Sequence, residues 1–165
     1  SFPLSSGAVI APYFLDNKAP YVGLITRTRE LVKDRNGQQG NVRSLELPRG
    51  FSNLGERLEE TALRELGEET SKVAKRLVRL GRTNPNTAFY TTPGIPIFAA
   101  EVDPNIRSQL KPDAKEPILQ CTFAPYQEVR QTIANGQVFC GLSLAGLGLL
   151  DLYFELEGIT SKKNI

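Results

Sequence analysis

The sequence predicts an α+β domain in which a mixed β-sheet lies between helices. Segments typical of strands come first, an acidic helical segment follows them, and further strands precede two C-terminal helices. The chain has 165 residues, of which 40% are hydrophobic and 23% charged, and this length and composition suit a domain with its own core. We therefore expect a single domain over residues 1–165.

The strands of the first third are indicated by small, β-branched and aromatic residues. The charged triplet Arg27-Thr28-Arg29 is expected to form a turn, and residues 34–41 carry the turn formers of a hairpin or an exposed loop. Pro48 is expected to stop the third strand. The predicted strands are residues 7–15, 20–26 and 43–47.

The second half of the chain predicts three more strands and two helices. Asp103-Pro104-Asn105 is expected to end the middle strand, and a polar loop over residues 107–116 follows it. Apolar residues at helical spacing indicate a helix from Tyr126 to Asn135, with Gly136 as its C-terminal cap. The remaining elements are strands 76–83, 95–102 and 118–124 and a helix over 142–156.

The acidic segment predicts a helix that begins near Arg57 or Leu58 and ends at about Thr70. Three of its glutamates, at spacings of three and four residues, project from one side: Glu65, Glu68 and Glu69. Like charges at this spacing repel one another, and the C-terminal end of a helix disfavours anions. A solvated acidic surface is one interpretation. A bound cation is the other, and hard carboxylate oxygens suit Mg²⁺, Mn²⁺ or Ca²⁺.

The composition excludes several kinds of chemistry. The chain has no histidine, which removes Ser-His-Asp and Cys-His catalysis and leaves carboxylates, Lys, Arg, Tyr, metal ions or water. Cys121 and Cys140 lack the CxxC spacing of a zinc site, and we expect two buried, reduced thiols. The net charge of +2 argues against a general nucleic-acid-binding surface.

Membrane insertion and export are not expected. No apolar run reaches the roughly 18 residues that a membrane-spanning helix needs. The N-terminal stretch lacks the basic and long apolar regions of a signal peptide. We therefore expect a cytoplasmic protein.

The acidic helix belongs to a longer pattern of fixed spacing. Gly50 is followed after five residues by Glu56, after seven more by Arg64-Glu65-Leu66, and after one more by Glu68-Glu69. This pattern resembles the signature of the Nudix hydrolase family, G-x5-E-x7-R-E-U-x-E-E-x-G-U, where U is a bulky aliphatic residue. The resemblance implies an α-β-α sandwich. It also implies hydrolysis, with Mg²⁺ or Mn²⁺, of a nucleoside diphosphate linked to another moiety.

The resemblance also implies roles for the residues of the pattern. Glu65, Glu68 and Glu69 would be metal ligands, and one of them, with Glu68 as a candidate, could serve as the base. Arg64 would orient the glutamates, and Glu56 would either add to the metal site or hold Arg64. A base or further ligand from outside the pattern is also expected. Glu116 is the first candidate, with Glu101 and Asp113 as alternatives.

Two further backbone features follow from the resemblance, and two positions depart from it. The main-chain carbonyl of Arg49 would be a metal ligand, and Gly50 would let the loop bend sharply. Ser71 and Lys72 replace the final glycine and aliphatic residue, so the helix is expected to end differently. Val73 is a candidate for the missing apolar contact.

The substrate-binding residues are expected outside the signature. Residues 48–51 and 81–102 look like the ADP-ribose and related dinucleotide branch, in which either Pro85 or Pro93 matches a proline of that branch. Phe89 or Tyr90 would stack on an adenine, unless it packs in the core. The remaining candidates would bind phosphate or ribose, unless they are surface charges: Arg27, Arg29, Arg49 and Arg82.

Other functions stay open at this point. A non-catalytic Nudix-like module would bind a nucleotide without turnover, although such modules commonly lose glutamates that are present here. A Nudix hydrolase of nucleoside triphosphates or capped RNA is a further alternative. Many Nudix relatives are homodimers, so a homodimer is possible.

Overall fold

The computed structural model of the protein describes residues 6–31, 35–85, 94–110 and 120–159. Ten helices and strands lie within these ranges. The strands are β1 (Gly7–Asp16), β2 (Ala19–Leu31), β3 (Gly40–Glu46), β4 (Arg49–Phe51), β5 (Lys72–Thr83), β6 (Ile95–Arg107) and β7 (Gln120–Pro125). The helices are α1 (Leu58–Thr70), α2 (Tyr126–Ala134) and α3 (Gly141–Leu156).

The strands form one mixed sheet in the order β3-β2-β1-β6-β5, with β4 paired to β1 and β7 paired to β2. The pairing of β1 with β6 is parallel, and the other pairings are antiparallel. Helix α1 covers one face, where Ala62 and Leu66 pack on Ile10 and Phe98. Helices α2 and α3 cover the other face. The predicted fold class, a mixed sheet between helices, is therefore confirmed.

Strand β1 shows why the sheet is buried on both sides. Successive side chains of a strand point to opposite faces. Val9 and Ala11 accordingly belong to the core under α2 and α3, and Ala8 and Ile10 belong to the core under α1. This continuous apolar run places β1 at the centre of the molecule, directly beside β4 and the acidic helix.

Two predicted strand ends are wrong. Arg27-Thr28-Arg29 does not turn, because β2 continues to Leu31 and pairs along this stretch with β3. Its two arginines lie near the buried Glu46, which compensates their charge inside the sheet. Strand β6 also passes through Asp103-Pro104-Asn105, because irregular pairing with β5 accommodates the missing N–H of proline.

Helix α1 has the predicted bounds, but its surroundings differ from the expectations. Ser71 ends it in the left-handed conformation with φ of 57°, and the Ser71 amide donates to the Gly67 carbonyl. The serine thus adopts the conformation that a glycine would favour. Val73 is 46% exposed, so it does not supply the missing apolar contact, whereas Ala74 packs on the core under α1. Strand β5 also begins earlier than predicted, directly at Lys72.

Candidate active site

Arg64 binds three carboxylates at once. Its Nε lies 2.8 Å from Glu56 Oε1, and its Nη1 lies 2.7 Å from Glu65 Oε1 and 2.9 Å from Glu68 Oε2. Its Nη2 donates to the Phe51 carbonyl over 2.8 Å. We call Arg64 and the four signature glutamates the carboxylate cluster: Glu56, Glu65, Glu68 and Glu69.

Hydrogen bonds to Glu56 stabilise its ionised form. The bond from Arg64 is the main cause that lowers the pKa of Glu56 from 4.5 to about 2, against a smaller opposing effect of burial. The Asn53 amide and the Thr61 hydroxyl also donate to this carboxylate. The same ion pair raises the pKa of Arg64. Both groups therefore stay charged at neutral pH, and Glu56 holds the guanidinium that organises the other glutamates.

Gly50 lies against the carboxylate of Glu65. A Cβ atom at position 50 would overlap that carboxylate. The expected sharp bend at Gly50 is wrong, because the residue lies within β4 and pairs with Ala8 of β1. Because Gly50 has no side chain, β4 and α1 can approach each other closely, and the Glu65 carboxylate fills the space beside Gly50.

Glu69 connects the helix to β4 and to β2. This side chain is buried, and its Oε2 accepts a hydrogen bond of 3.0 Å from the Arg49 amide. It also forms an ion pair with Arg27. The amide and carbonyl of one strand residue point to the same side. The Arg49 carbonyl therefore faces the acidic helix, where a role as metal ligand would require it.

A second charged cluster surrounds Glu46, which is only 2% exposed. Arg29 donates to both carboxylate oxygens, with Nε at 3.0 Å from Oε1 and Nη2 at 2.6 Å from Oε2. Arg27 Nε and Arg49 Nη2 lie 3.8 Å and 3.7 Å from Oε2. Ser44 donates to Oε1 over 3.1 Å. We call Glu46 and its three cationic partners, Arg27, Arg29 and Arg49, the arginine cluster.

Glu46 was not among the predicted site residues. Burial opposes its ionisation, but the Arg29 hydrogen bond and the charges of Arg49 and Arg29 outweigh that effect and lower its pKa. The sequence feature that could have pointed to Glu46 is the side-chain alternation of β3, which places Ser44 and Glu46 on the same face of the strand. A polar face on a short strand ordinarily contacts solvent, so this feature would have predicted exposed residues. Ser44 and Glu46 are instead buried.

The two cysteines are free thiols in different environments. Burial raises the pKa of Cys121 to about 12. For Cys140 the burial effect is outweighed by hydrogen bonds involving Ser143 and by the charge of Arg49, so its pKa is lowered. Arg49 Nη1 lies 2.9 Å from the Cys140 sulfur. This contact ties the arginine cluster to the start of α3.

One cavity of about 580 Å³ joins the two clusters. Among the predicted residues, its lining includes Pro85, three glutamates of α1 and three arginines: Glu65, Glu68, Glu69, Arg27, Arg29 and Arg49. Seven further lining residues were not among the predicted site residues: Gly7, Ala8, Val9, Phe51, Asn53, Ile95 and Leu142.

Other predicted residues are not brought to this cavity. Arg82 is exposed on β5 and is not among the described lining residues. Glu101 lies 3.7 Å from Lys75 and is also absent from that lining. Five candidates lie outside the described residues: Phe89, Tyr90, Pro93, Asp113 and Glu116.

The donor chemistry of the carboxylate cluster fits a hard divalent cation. Its four carboxylates are offset by two guanidinium groups, those of Arg64 and Arg27, which leaves an excess of negative charge. In the described ranges no three acidic side chains converge on a single metal position. The reason is visible in the ion pairs, because Arg64 lies between Glu56, Glu65 and Glu68.

Comparison with solved structures supports the fold. The chain is similar to an ADP compounds hydrolase, with a TM-score of 0.68 and 17% identity over 93% of this chain and 76% of that one. It is similar to a NUDIX hydrolase from Nitrosomonas europaea, with a TM-score of 0.59 and 17% identity over 90% of each chain. A third structure is the NUDIX domain of Shewanella oneidensis NrtR complexed with ADP ribose. Its TM-score is 0.62, with 18% identity over 93% of this chain and 90% of that one.

Sequence comparison gives the family. An ADP-ribose pyrophosphatase of Bacillus subtilis (strain 168) is 48% identical over 58 residues. That match covers 35% of this chain and only 26% of the relative. The family model described as NUDIX domain matches residues 7–139, which include both charged clusters. Members of this family that are hydrolases generally need a divalent metal. The chain therefore belongs to the NUDIX family.

Proposed function

We propose that the protein is a pyrophosphohydrolase that uses Mg²⁺ or Mn²⁺ to cleave the diphosphate of ADP-ribose or of a related ADP-sugar or dinucleotide. The products would be a nucleoside monophosphate and a phosphorylated remainder. One observation carries the proposal: a single cavity is lined both by glutamates of α1 and by arginines of β2 and β4. The family match and the ADP-ribose pyrophosphatase relative support this class of enzyme.

The carboxylate cluster would hold the divalent cation. Glu65, Glu68 and Glu69, with the Arg49 carbonyl, offer oxygen ligands of the kind that Mg²⁺ and Mn²⁺ prefer. The bound cation would neutralise diphosphate charge and lower the pKa of an attacking water. Glu56 would keep Arg64 charged and in place, and Arg64 would orient the glutamates.

The arginine cluster would bind the anionic part of the substrate. Guanidinium groups bind phosphate oxygens through paired N–H donors, and Arg27, Arg29 and Arg49 all line the cavity. The cavity volume of about 580 Å³ is in the range usual for small-ligand sites. Phe51, which is 70% exposed at the same cavity, offers an apolar surface to the rest of the ligand.

The general base stays a prediction. A positioned carboxylate would take the proton of the attacking water, an effect of about 10²–10⁴-fold. Glu68 lines the cavity and is one candidate. Glu116 is the other, and Glu101 is disfavoured by its position beside Lys75.

A substrate panel tests the proposal. Purified protein would be incubated with Mg²⁺ or Mn²⁺ and with ADP-ribose, other ADP-sugars, dinucleotides and nucleoside triphosphates, and the products separated by chromatography. We expect AMP from ADP-ribose and no product after chelation of the metal. Absence of turnover on the whole panel would overturn the proposal. Tight nucleotide binding without turnover would then indicate a binding module, and salt-sensitive RNA binding would favour an RNA substrate.

Three broader expectations stay predictions: a single domain over residues 1–165, a cytoplasmic location and a possible homodimer. Within the described ranges, no helix is long and apolar enough to cross a membrane. Light scattering of the purified protein would decide between monomer and homodimer.

A further inference from the structure

Glu46 is an almost fully buried carboxylate that faces three arginines. Arg29 binds it through two nitrogens, and Arg27 and Arg49 approach the same oxygen, Oε2. Burial of a charged group is costly unless ion pairs and hydrogen bonds compensate it. Arg27 also pairs with Glu69, and all three arginines line the cavity.

The three arginines come from different places in the chain. Arg27 and Arg29 lie on β2, and Arg49 begins β4. Guanidinium groups this close repel one another unless an anion lies between them. Glu46 supplies that anion from the last position of β3: Arg29 donates to both of its oxygens, and Arg27 Nε and Arg49 Nη2 lie 3.8 Å and 3.7 Å from Oε2.

The backbone around Glu46 is held independently of its carboxylate. The next residue, Leu47, is fully buried in the core, and its amide donates to the Ser143 hydroxyl over 2.9 Å. Pairing of Glu46 with Ile25 also fixes the strand. Loss of the Glu46 charge should therefore change the arginines more than the fold.

We propose that Glu46 is a positioning residue, which holds Arg27, Arg29 and Arg49 as one binding surface for the diphosphate of the substrate. The nature of the ligand rests on the proposed function above. Glu46 lies outside the signature, and it sets the affinity for the anionic group. Glu46 acts only through the arginines, whereas the signature glutamates act on the cation.

The direction in which Glu46→Gln changes the KM distinguishes a positioning role from simple charge compensation. If Glu46 merely offset positive charge, Glu46→Gln would strengthen the cationic field and lower the KM for an anionic substrate. If it positions the arginines, the same change lets them separate and raises KM. We expect a KM for ADP-ribose that rises roughly tenfold, with a much smaller change in kcat, because misplaced binding groups weaken substrate positioning. Glu46→Asp keeps the charge but shortens the reach, and it should give an intermediate increase.

Calorimetry supplies a readout that does not need turnover. ADP-ribose would be titrated without metal into the wild-type protein and both variants, and Kd should rise in the same order as KM. Glu30→Gln is a matched control, because Glu30 is exposed on the same strand pair. Thermal melting would show whether each variant is folded. If Glu46→Gln does not fold, the KM and Kd of Glu46→Asp are compared with those of the wild type instead.

The outcomes separate the two proposals. Unchanged or lower KM and Kd in Glu46→Gln would overturn the positioning role while the wild-type activity stands. A wild-type protein that binds ADP-ribose without hydrolysing it would overturn the proposed enzyme, and the Kd values would still decide the role of Glu46. A wild-type protein with neither binding nor turnover would overturn both.

Discussion

Two charged clusters face the same cavity, and they are built with opposite polarity. In the carboxylate cluster a central arginine, Arg64, holds three glutamates. In the arginine cluster a central glutamate, Glu46, lies among three arginines. In each cluster three like charges are arranged around one opposite charge, and the fourth glutamate, Glu69, pairs with Arg27. Within the same cavity, the carboxylates therefore suit a cation and the arginines suit an anion.

The two clusters also differ in how the chain assembles them. The carboxylate cluster comes from α1 and the loop before it, so its ion pairs join residues at most eight positions apart. The arginine cluster joins β2, β3 and β4, and Arg29 lies 17 positions from Glu46. The Arg27–Glu69 ion pair connects the two clusters. Substitutions in one cluster should therefore affect cation binding, and substitutions in the other should affect anion binding.

Glu69→Gln should give the largest effect. Glu69 contacts Arg27 and the Arg49 amide, and we propose it as a metal ligand. Loss of its charge should lower kcat by about 10²–10⁴-fold, the size expected when a group that acts on the reacting centre is removed. Steady-state hydrolysis of ADP-ribose with Mg²⁺ would measure it.

Glu59→Gln is the control for this change, because Glu59 is exposed on the first turn of the same helix. It should leave kcat unchanged. Circular dichroism should show both variants folded. An unchanged rate in Glu69→Gln would remove Glu69 from the site and would break the assignment of the carboxylate cluster to the cation.

Gly50→Ala should lower activity far more than it lowers stability. The new Cβ would overlap the Glu65 carboxylate, which lies at the end of a flexible side chain and can move away. We expect a stability loss of no more than about 1–3 kcal/mol, the usual cost of overpacking. Displacement of Glu65 should nevertheless lower kcat/KM roughly a hundredfold. Urea unfolding and steady-state kinetics would measure the two effects.

Gly148→Ala is the matched control for that substitution. Position 148 lies in α3, and a Cβ atom there would have open space around it. Alanine should stabilise the helix by about 0.5–1 kcal/mol and leave kcat/KM unchanged. Equal activity losses in both variants would show that the close approach at Gly50 is not what positions Glu65.

The difference between the clusters explains which features the sequence revealed. The bounds of α1 and the clustering of its glutamates were predictable, because helical spacing places residues three and four positions apart together. Glu46 was missed because its partners depend on strand register, and Arg27 and Arg29 were assigned to a turn for the same reason. Strand β4 has only three residues, which is too short for an alternation of apolar and polar side chains to be recognised. Leu142 reaches the cavity only through the packing of α3, which no local pattern encodes.

Acid should weaken the carboxylate cluster within a defined range of pH. The folded-state pKa of Glu56 is lowered from 4.5 to about 2, so its contribution to stability is complete above pH 4.5 and is lost as pH falls towards 2. The difference in unfolding free energy between the wild type and Glu56→Gln should therefore be largest at neutral pH and should shrink below pH 4.5. Urea unfolding of both proteins at neutral pH, pH 4.5 and pH 3 would measure it, with Glu59→Gln as the control. A difference that stays constant with pH would show that Arg64 does not depend on the ionised Glu56.

Ser71→Gly should give the smallest effect, and it compares the backbones of the two clusters. Ser71 lies two residues after Glu69 and has φ of 57°, whereas none of Arg27, Arg29, Glu46 and Arg49 has a positive φ. The left-handed conformation costs a non-glycine residue about 1–2 kcal/mol. Substitution by glycine removes this cost, but the greater freedom of glycine in the unfolded chain offsets part of the gain in stability. We expect Ser71→Gly to raise the free energy of unfolding by roughly 0.5–1 kcal/mol, with kcat unchanged, because the helix already ends in the same conformation. Asn17→Gly, at φ of 48° in the turn between β1 and β2, should gain less, since asparagine tolerates this region better than serine. A Ser71→Gly variant that gains no stability would show that the carboxylate cluster, like the arginine cluster, is held without backbone strain.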